Sequence, residues 1–102
     1  MAATRHEQLL EKARAFDEAN PIVWGLFRRF TFEVIDSGKS HFGVGAIWER
    51  LRWEMAFATK TADGFKLNNN HRAYYARKFM ARYPQHAGFF RTRAPSPLRL
   101  VA

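Results

Sequence analysis

The sequence predicts a mainly α-helical fold with a small β-hairpin at its C-terminal end, and two observations lead to this prediction. Apolar residues recur at helical spacing in four segments, and capping or turn residues bound these segments. After the fourth segment, short apolar stretches flank two prolines, an arrangement typical of two strands joined by a turn. A chain of 102 residues has the length of one domain, so we treat residues 1–102 as a single domain.

Composition narrows the class of protein. Ten Phe, three Trp and three Tyr supply the large apolar side chains that a short chain needs for its core. The absence of cysteine excludes disulfides and thiolate zinc sites. The longest apolar run is far below the ~20 residues of a membrane span, and the N-terminus lacks the apolar core of a secretory signal. We therefore expect a cytoplasmic protein with no membrane partner.

The first helix is predicted over 4–18, because Thr4 and Glu7 have the spacing of a capping box. Its apolar stripe is thin. We expect residues 1–19 to form a peripheral helix, which is also a candidate surface for a homodimer.

The second helix is predicted to begin with Asn20 as N-cap and Pro21 in the first turn, and to end before Gly38. Its wide apolar stripe indicates a core helix. Arg28 and Arg29 lie off that stripe among acidic residues, which favours a solvated mixed-charge face over phosphate contact.

A third helix is predicted over 46–59, and a connector over 59–69 follows it. The connector contains Asp63-Gly64, a strong turn signal, and its asparagines are candidate caps for the next helix. Trp53 lies off the apolar stripe of the third helix, so the pattern leaves open whether it packs on a second surface or is exposed.

The fourth helix is predicted over 70–83, and Pro84 ends it. One side is apolar and is expected to pack on the domain, with Arg72 near this side. The opposite side holds the polar and basic residues Asn70, Tyr74, Arg77, Lys78 and, at its margin, Arg82.

The predicted hairpin has strands at 89–93 and 98–101 with a turn at 94–97, and Arg91 and Arg93 lie on the first strand. The two prolines allow a second interpretation, in which residues 94–102 are a flexible basic tail instead.

Positive charge is concentrated in the second half of the chain. The 17 Lys and Arg residues and nine Asp and Glu residues give a net charge of +8. Residues 1–59 hold eight of each sign, whereas residues 60–102 hold nine basic residues and one acid, Asp63. A neutral scaffold joined to a basic segment is typical of polyanion binding. The alternative is a basic surface that only aids solubility.

The order of elements indicates how such a surface would bind. A helix, a short extended piece predicted over 40–44, two helices and a basic hairpin follow the order of a winged helix-turn-helix, here preceded by an extra N-terminal helix. In that fold the second helix of the pair enters the major groove and the hairpin contacts phosphate. The connector of about 10 residues departs from the usual turn of about 3–4. The predicted nucleic-acid-binding residues are Lys66, Asn70, Tyr74, Arg77, Lys78, Arg82, Arg91 and Arg93.

No catalytic, cofactor or metal site is predicted. The four histidines lack the i, i+4 spacing of a helical metal site, and the basic half has only one carboxylate. No glycine-rich loop has the spacing that cradles nucleotide phosphates. We expect a binding protein rather than an enzyme.

Four stretches resemble small proteins encoded by bacteriophages and prophages, for which no function is assigned. They lie at residues 16–30, 47–54, 65–70 and 74–90. The resemblance implies a bacterial cytoplasmic setting. It also implies the roles common among small phage proteins, which are DNA-binding regulation and inhibition of host defence, as in anti-CRISPR proteins.

Two hypotheses follow. The first is a phage-derived protein that contacts double-stranded DNA through the helix 70–83 and the basic hairpin. The second is an inhibitor that binds a host defence protein through the same basic and aromatic surface, because aromatic and Arg residues are also enriched at protein interfaces.

Overall fold

A computed structural model of the chain describes residues 4–59 and 67–91, and four helices make up most of this part. They are α1 (Arg5–Ala19), α2 (Pro21–Asp36), α3 (Val44–Thr59) and α4 (Arg72–Arg82), with 3₁₀ turns at Asn69–His71 and Pro84–His86. All four predicted helices are present.

The helix ends follow local hydrogen bonding, with one departure from the sequence pattern. The capping box is confirmed, because Thr4 Oγ1 accepts from the Glu7 amide and the Glu7 carboxylate accepts from the Thr4 amide at 2.8 Å. Asn20 is the N-cap residue of α2, as predicted, but its side chain makes no capping hydrogen bond to α2. Its Nδ2 instead donates to the Phe16 carbonyl at 2.9 Å, and so it closes the end of α1.

The core lies between α2, α3 and α4, and aromatic rings fill most of it. Phe27 is at its centre, and its ring centroid is within 6.5 Å of those of Trp48, Tyr75, Phe79 and Phe90. The buried apolar residues of this core are Val23, Phe27, Phe30, Ile47, Trp48, Leu51, Leu67, Tyr75, Ala76, Phe79, Phe89 and Phe90.

The predicted winged fold is wrong. Within residues 4–59 and 67–91 there is no strand and no sheet, and Phe90 forms only an isolated parallel bridge with Phe42. Phe89 and Phe90, the predicted start of the wing, are both only 3% exposed. Neighbouring residues of a strand point to opposite faces, so a projecting wing would leave one ring in water. Burying both large rings is more favourable, and the chain turns back into the core. The rest of the predicted hairpin lies outside the described residues.

The first helix occupies a position that matters for the site. α1 packs against α4 and against the 3₁₀ turn Asn69–His71. It therefore lies along the side of α4 that the winged-helix prediction placed in a DNA groove. α4 has its apolar side on the core and much of its polar side on α1.

The burial of Phe90 yields a stability prediction. We expect Phe90→Ala to lower the free energy of unfolding by about 3–5 kcal/mol, because it empties a filled position in the core. The matched control is Phe57→Ala, since Phe57 is 67% exposed and should change stability by less than about 0.5 kcal/mol. Urea denaturation followed by circular dichroism measures both. Equal, small effects of the two substitutions on the free energy of unfolding would contradict the burial of Phe90 in the core.

Candidate functional site

A groove of about 600 Å³ runs between α1 and α4, and most of its lining is charged. α1 contributes its C-terminal half and α4 contributes the side predicted to face outward. The lining residues are Leu10, Arg14, Asp17, Glu18, Tyr74, Arg77, Lys78, Ala81 and Arg82. We call this surface the α1–α4 groove.

The carboxylate of Asp17 joins the two walls of the groove. It is 8% exposed and accepts two hydrogen bonds at one oxygen, from Tyr74 Oη at 2.9 Å and from Lys78 Nζ at 2.5 Å. The Lys78 ammonium also lies 4.3 Å from the ring centroid of Trp24, a cation–π contact. Burial, followed by the hydrogen bond with Asp17, raises the pKa of Tyr74 to about 12. Tyr74 and Lys78 therefore hold α1 in place.

The remaining charges of the groove do not cancel. Lys78 neutralises Asp17, and Arg14 pairs with Glu18 at 3.0 Å and also with Glu11. Both carboxylates in the lining thus already have a cation of the lining as partner. Two guanidinium groups are left over, those of Arg77 and Arg82.

Arg77 is the most unusual of these groups. Its side chain is partly buried, yet it makes no salt bridge or side-chain hydrogen bond with any other described residue. Burial lowers the pKa of Arg77, since a guanidinium removed from water is less stable as a cation. It also lines a smaller cavity of about 170 Å³ beside Asn70. A desolvated cation without a counter-charge is a favourable position for an anion.

The predicted site residues divide into groups. Tyr74 and Lys78 are engaged by Asp17, whereas Arg77 and Arg82 face the α1–α4 groove and Asn70 lies in the smaller cavity next to it. Arg91 is exposed in a separate cavity beside His41 and Phe42. Lys66 and Arg93 lie outside the described residues.

Another cavity lies at the end of α4, and the sequence interpretation assigned no role to it. This notch has a volume of about 270 Å³ and is lined by Gly25, Arg28, Arg29, Phe32 and Tyr83. We call it the Gly25 notch. Arg28 Nη1 donates to Tyr83 Oη at 3.4 Å, and its guanidinium carbon lies 5.9 Å from the Trp24 ring centroid. The notch and the groove share the end of α4, because Arg82 lines the groove and Tyr83 lines the notch.

The sequence does contain a signal for Asp17. Leu10, Ala13 and Asp17 follow the i, i+3, i+7 spacing of one helix side, so a carboxylate stands on the apolar stripe of α1. A buried carboxylate requires a partner. Identifying that partner as α4 requires the tertiary structure.

An aromatic pair on α3 is exposed. Trp53 and Phe57 are 65% and 67% exposed, and their ring centroids are 5.6 Å apart. The alternative left open for Trp53 is thereby decided in favour of exposure.

Within residues 4–59 and 67–91, no three His, Asp or Glu side chains are grouped so as to hold a metal ion. No helix in this part is long and apolar enough to cross a membrane.

No known protein family, curated protein or solved structure matches the chain.

The Asp17 contact yields the next prediction. We expect Asp17→Asn to lower the free energy of unfolding by about 3 kcal/mol, because it leaves the Lys78 ammonium partly buried without a counter-charge. Glu18→Gln is the control, since Glu18 is an exposed neighbour and its change should cost less than about 0.5 kcal/mol. Urea denaturation at neutral pH compares the two. Equal stability of both variants would contradict the structural role of Asp17.

Tyr74 gives a prediction about alkaline pH. Its pKa of about 12 in the fold exceeds the ordinary value of 10, so the fold favours the neutral phenol. This contribution to stability is fully present below pH 10 and is lost as the pH rises from 10 toward 12. We expect the urea midpoint of the wild type to fall more steeply over this range than that of Tyr74→Phe. Parallel pH profiles would show that the Tyr74 hydroxyl is not held in this way.

Proposed function

We propose that the protein binds nucleic acid and that the phosphate backbone lies in the α1–α4 groove. The observation that carries the proposal is the partly buried Arg77 guanidinium, which has no counter-charge among the described residues. A phosphate diester supplies that charge and matches the planar fork of donors that a guanidinium presents. Arg82 in the same groove provides for a second phosphate.

The distribution of charge supports a polyanion as the ligand. Residues 67–91 contain five basic residues and no acidic residue. By contrast, Arg14, Arg29, Arg50 and Arg52 in the first half each lie within 4.0 Å of a glutamate. Lys78 is the one basic residue of 67–91 with a carboxylate within 4.0 Å among the described residues. This segment therefore keeps a net positive charge, whereas residues 1–59 are neutral, and that net charge attracts a chain of phosphates.

The position of α1 supports backbone contact rather than base reading by α4. A recognition helix must enter the major groove, which is about 12 Å wide, and present its side chains to base edges. The side of α4 that carries Tyr74 and Lys78 is covered by α1. We therefore propose binding that depends little on sequence, and we do not assign α4 as a recognition helix. Together with the resemblance to phage proteins, this proposal places the activity in the cytoplasm of a bacterial host.

Inhibition of a host defence protein is the second candidate function. The exposed Trp53–Phe57 pair favours it, because aromatic side chains are enriched at the centres of protein interfaces. The second candidate thus uses the aromatic pair of α3 instead of the basic surface that the sequence analysis gave to both hypotheses. Trp53→Ala with Phe57→Ala would leave nucleic-acid binding intact if the α1–α4 groove is the site.

The proposal predicts a salt-dependent interaction that requires two arginines. Fluorescence anisotropy with a labelled oligonucleotide, repeated over a range of salt concentrations, gives the affinity and its salt slope. We expect Arg77→Ala and Arg82→Ala each to weaken binding and each to reduce the slope by about one.

The control is Arg50→Ala, which changes the net charge equally but removes a cation paired with Glu33. It should leave the slope nearly unchanged. Because Arg77 has no described internal partner, its removal should not lower the unfolding midpoint. Equal loss of affinity in all three variants would indicate a general charge effect and would overturn the groove as the site. A wild-type protein that binds no oligonucleotide at low salt would overturn the function.

A further inference from the structure

Gly25 is a glycine that the fold does not require. It lies inside α2, where glycine destabilises a helix relative to alanine. Among the described glycines, positive φ is recorded for Gly38 and not for Gly25. A Cβ atom built at Gly25 would meet no atom within 4 Å. Neither backbone conformation nor internal packing accounts for the missing side chain, whose absence leaves the Gly25 notch open.

The walls of the notch have the chemistry that a flat aromatic ligand requires. The rings of Phe32 and Tyr83 meet edge to face at 4.9 Å and form one side. The backbone at Gly25 is accessible in the lining because no side chain covers it. Aromatic rings together with a backbone that has no side chain allow a flat ring to approach closely.

Arg28 adds a cation to the notch lining. Tyr83 Oη and the Trp24 ring position its guanidinium, and it makes no salt bridge with another described residue. The second arginine of the notch, Arg29, differs because its Nε lies 3.5 Å from the carboxylate of Glu33. The unpaired Arg28 guanidinium is complementary to a phosphate, and the aromatic walls beside it are complementary to a base.

We infer that the Gly25 notch receives an unpaired nucleobase and that the ligand of the α1–α4 groove is single-stranded nucleic acid, an inference that rests on the proposed function. Arg82 of the groove and Tyr83 of the notch are consecutive in the chain, and Lys78 of the groove contacts Trp24, which directly precedes Gly25. A strand whose phosphates lie at Arg82 and Arg28 brings a base between them to the notch. Bases of an intact duplex are paired and stacked, so they enter such a cavity only after unpairing.

Four oligonucleotides of equal length test this inference by fluorescence anisotropy: oligothymidylate, the same backbone without bases, oligouridylate and a DNA duplex. We expect the wild type to bind the two single strands with bases about tenfold more tightly than the abasic strand, because stacking of one base contributes roughly that factor. The duplex should also bind more weakly than the single strands. The thymidine and uridine strands compare DNA with RNA.

Gly25→Leu is the diagnostic variant, because it fills the notch. We expect it to reduce binding of the strands with bases to the level of the abasic strand, while abasic binding stays unchanged. The substitution meets no internal atom near its Cβ and replaces a poor helix former, so the thermal midpoint should not fall. Ala46→Leu is the matched control, since it adds an exposed leucine on α3, and it should bind every strand as the wild type does.

The outcomes separate the inference from the function on which it rests. If the wild type binds the abasic strand or the duplex as tightly as oligothymidylate, or if Gly25→Leu retains full preference, the inference is wrong. If the affinity for oligonucleotides still depends on Arg77 and Arg82 in that case, the α1–α4 groove remains supported as the phosphate-binding site. If the wild type binds none of the four oligonucleotides, the function and the inference both fall.

Discussion

The arrangement of α1 and α4 depends on one buried carboxylate. A carboxylate at the position of Asp17 is costly unless donors reach it, and only the register that brings Tyr74 and Lys78 to it supplies them. The apolar stripe of α1 does not impose this register alone, because Ala13 is the one apolar residue of α1 that is fully buried. The ion pair also decides which cations remain. Lys78 is neutralised within the fold, and Arg77 and Arg82 are not.

Helix positions could be predicted from the sequence because their signals are local. The Thr4–Glu7 capping box and Pro21 act within one turn, and the apolar periodicity of α2 and α4 reports burial directly. The structure of the segment after α4 could not be predicted correctly. The short apolar pattern at Phe89 and Phe90 is compatible both with a strand and with a pair of rings buried in the core. The choice between them depends on contacts of Phe90 with the rings of Phe27 and Phe79, which are distant or separate in the local pattern.

The candidate site was predicted in part, and for a similar reason. Helical periodicity grouped Arg77 and Arg82 on α4, but it could not show that another helix covers Tyr74 and Lys78. The contacts of Asp17 with Tyr74 and Lys78 join residues 57 and 61 positions apart, and a local sequence pattern does not reveal such contacts. The same holds for the Gly25 notch, whose walls come from α2 and from Tyr83 after α4. Its one local signal is a glycine within an otherwise favourable helix.

The exposed Trp53–Phe57 pair has a consequence for the colloidal behaviour of the protein. A net charge of +8 keeps copies apart in dilute buffer, where the Debye length is about 30 Å at 0.01 M salt. At physiological ionic strength that length falls to about 8 Å, and short-range adhesion between aromatic surfaces meets less repulsion. If the protein binds a polyanion as proposed, the ligand neutralises the same charge. The complex would then be more prone to self-association than the free protein, and its solubility would decrease as the ligand accumulates.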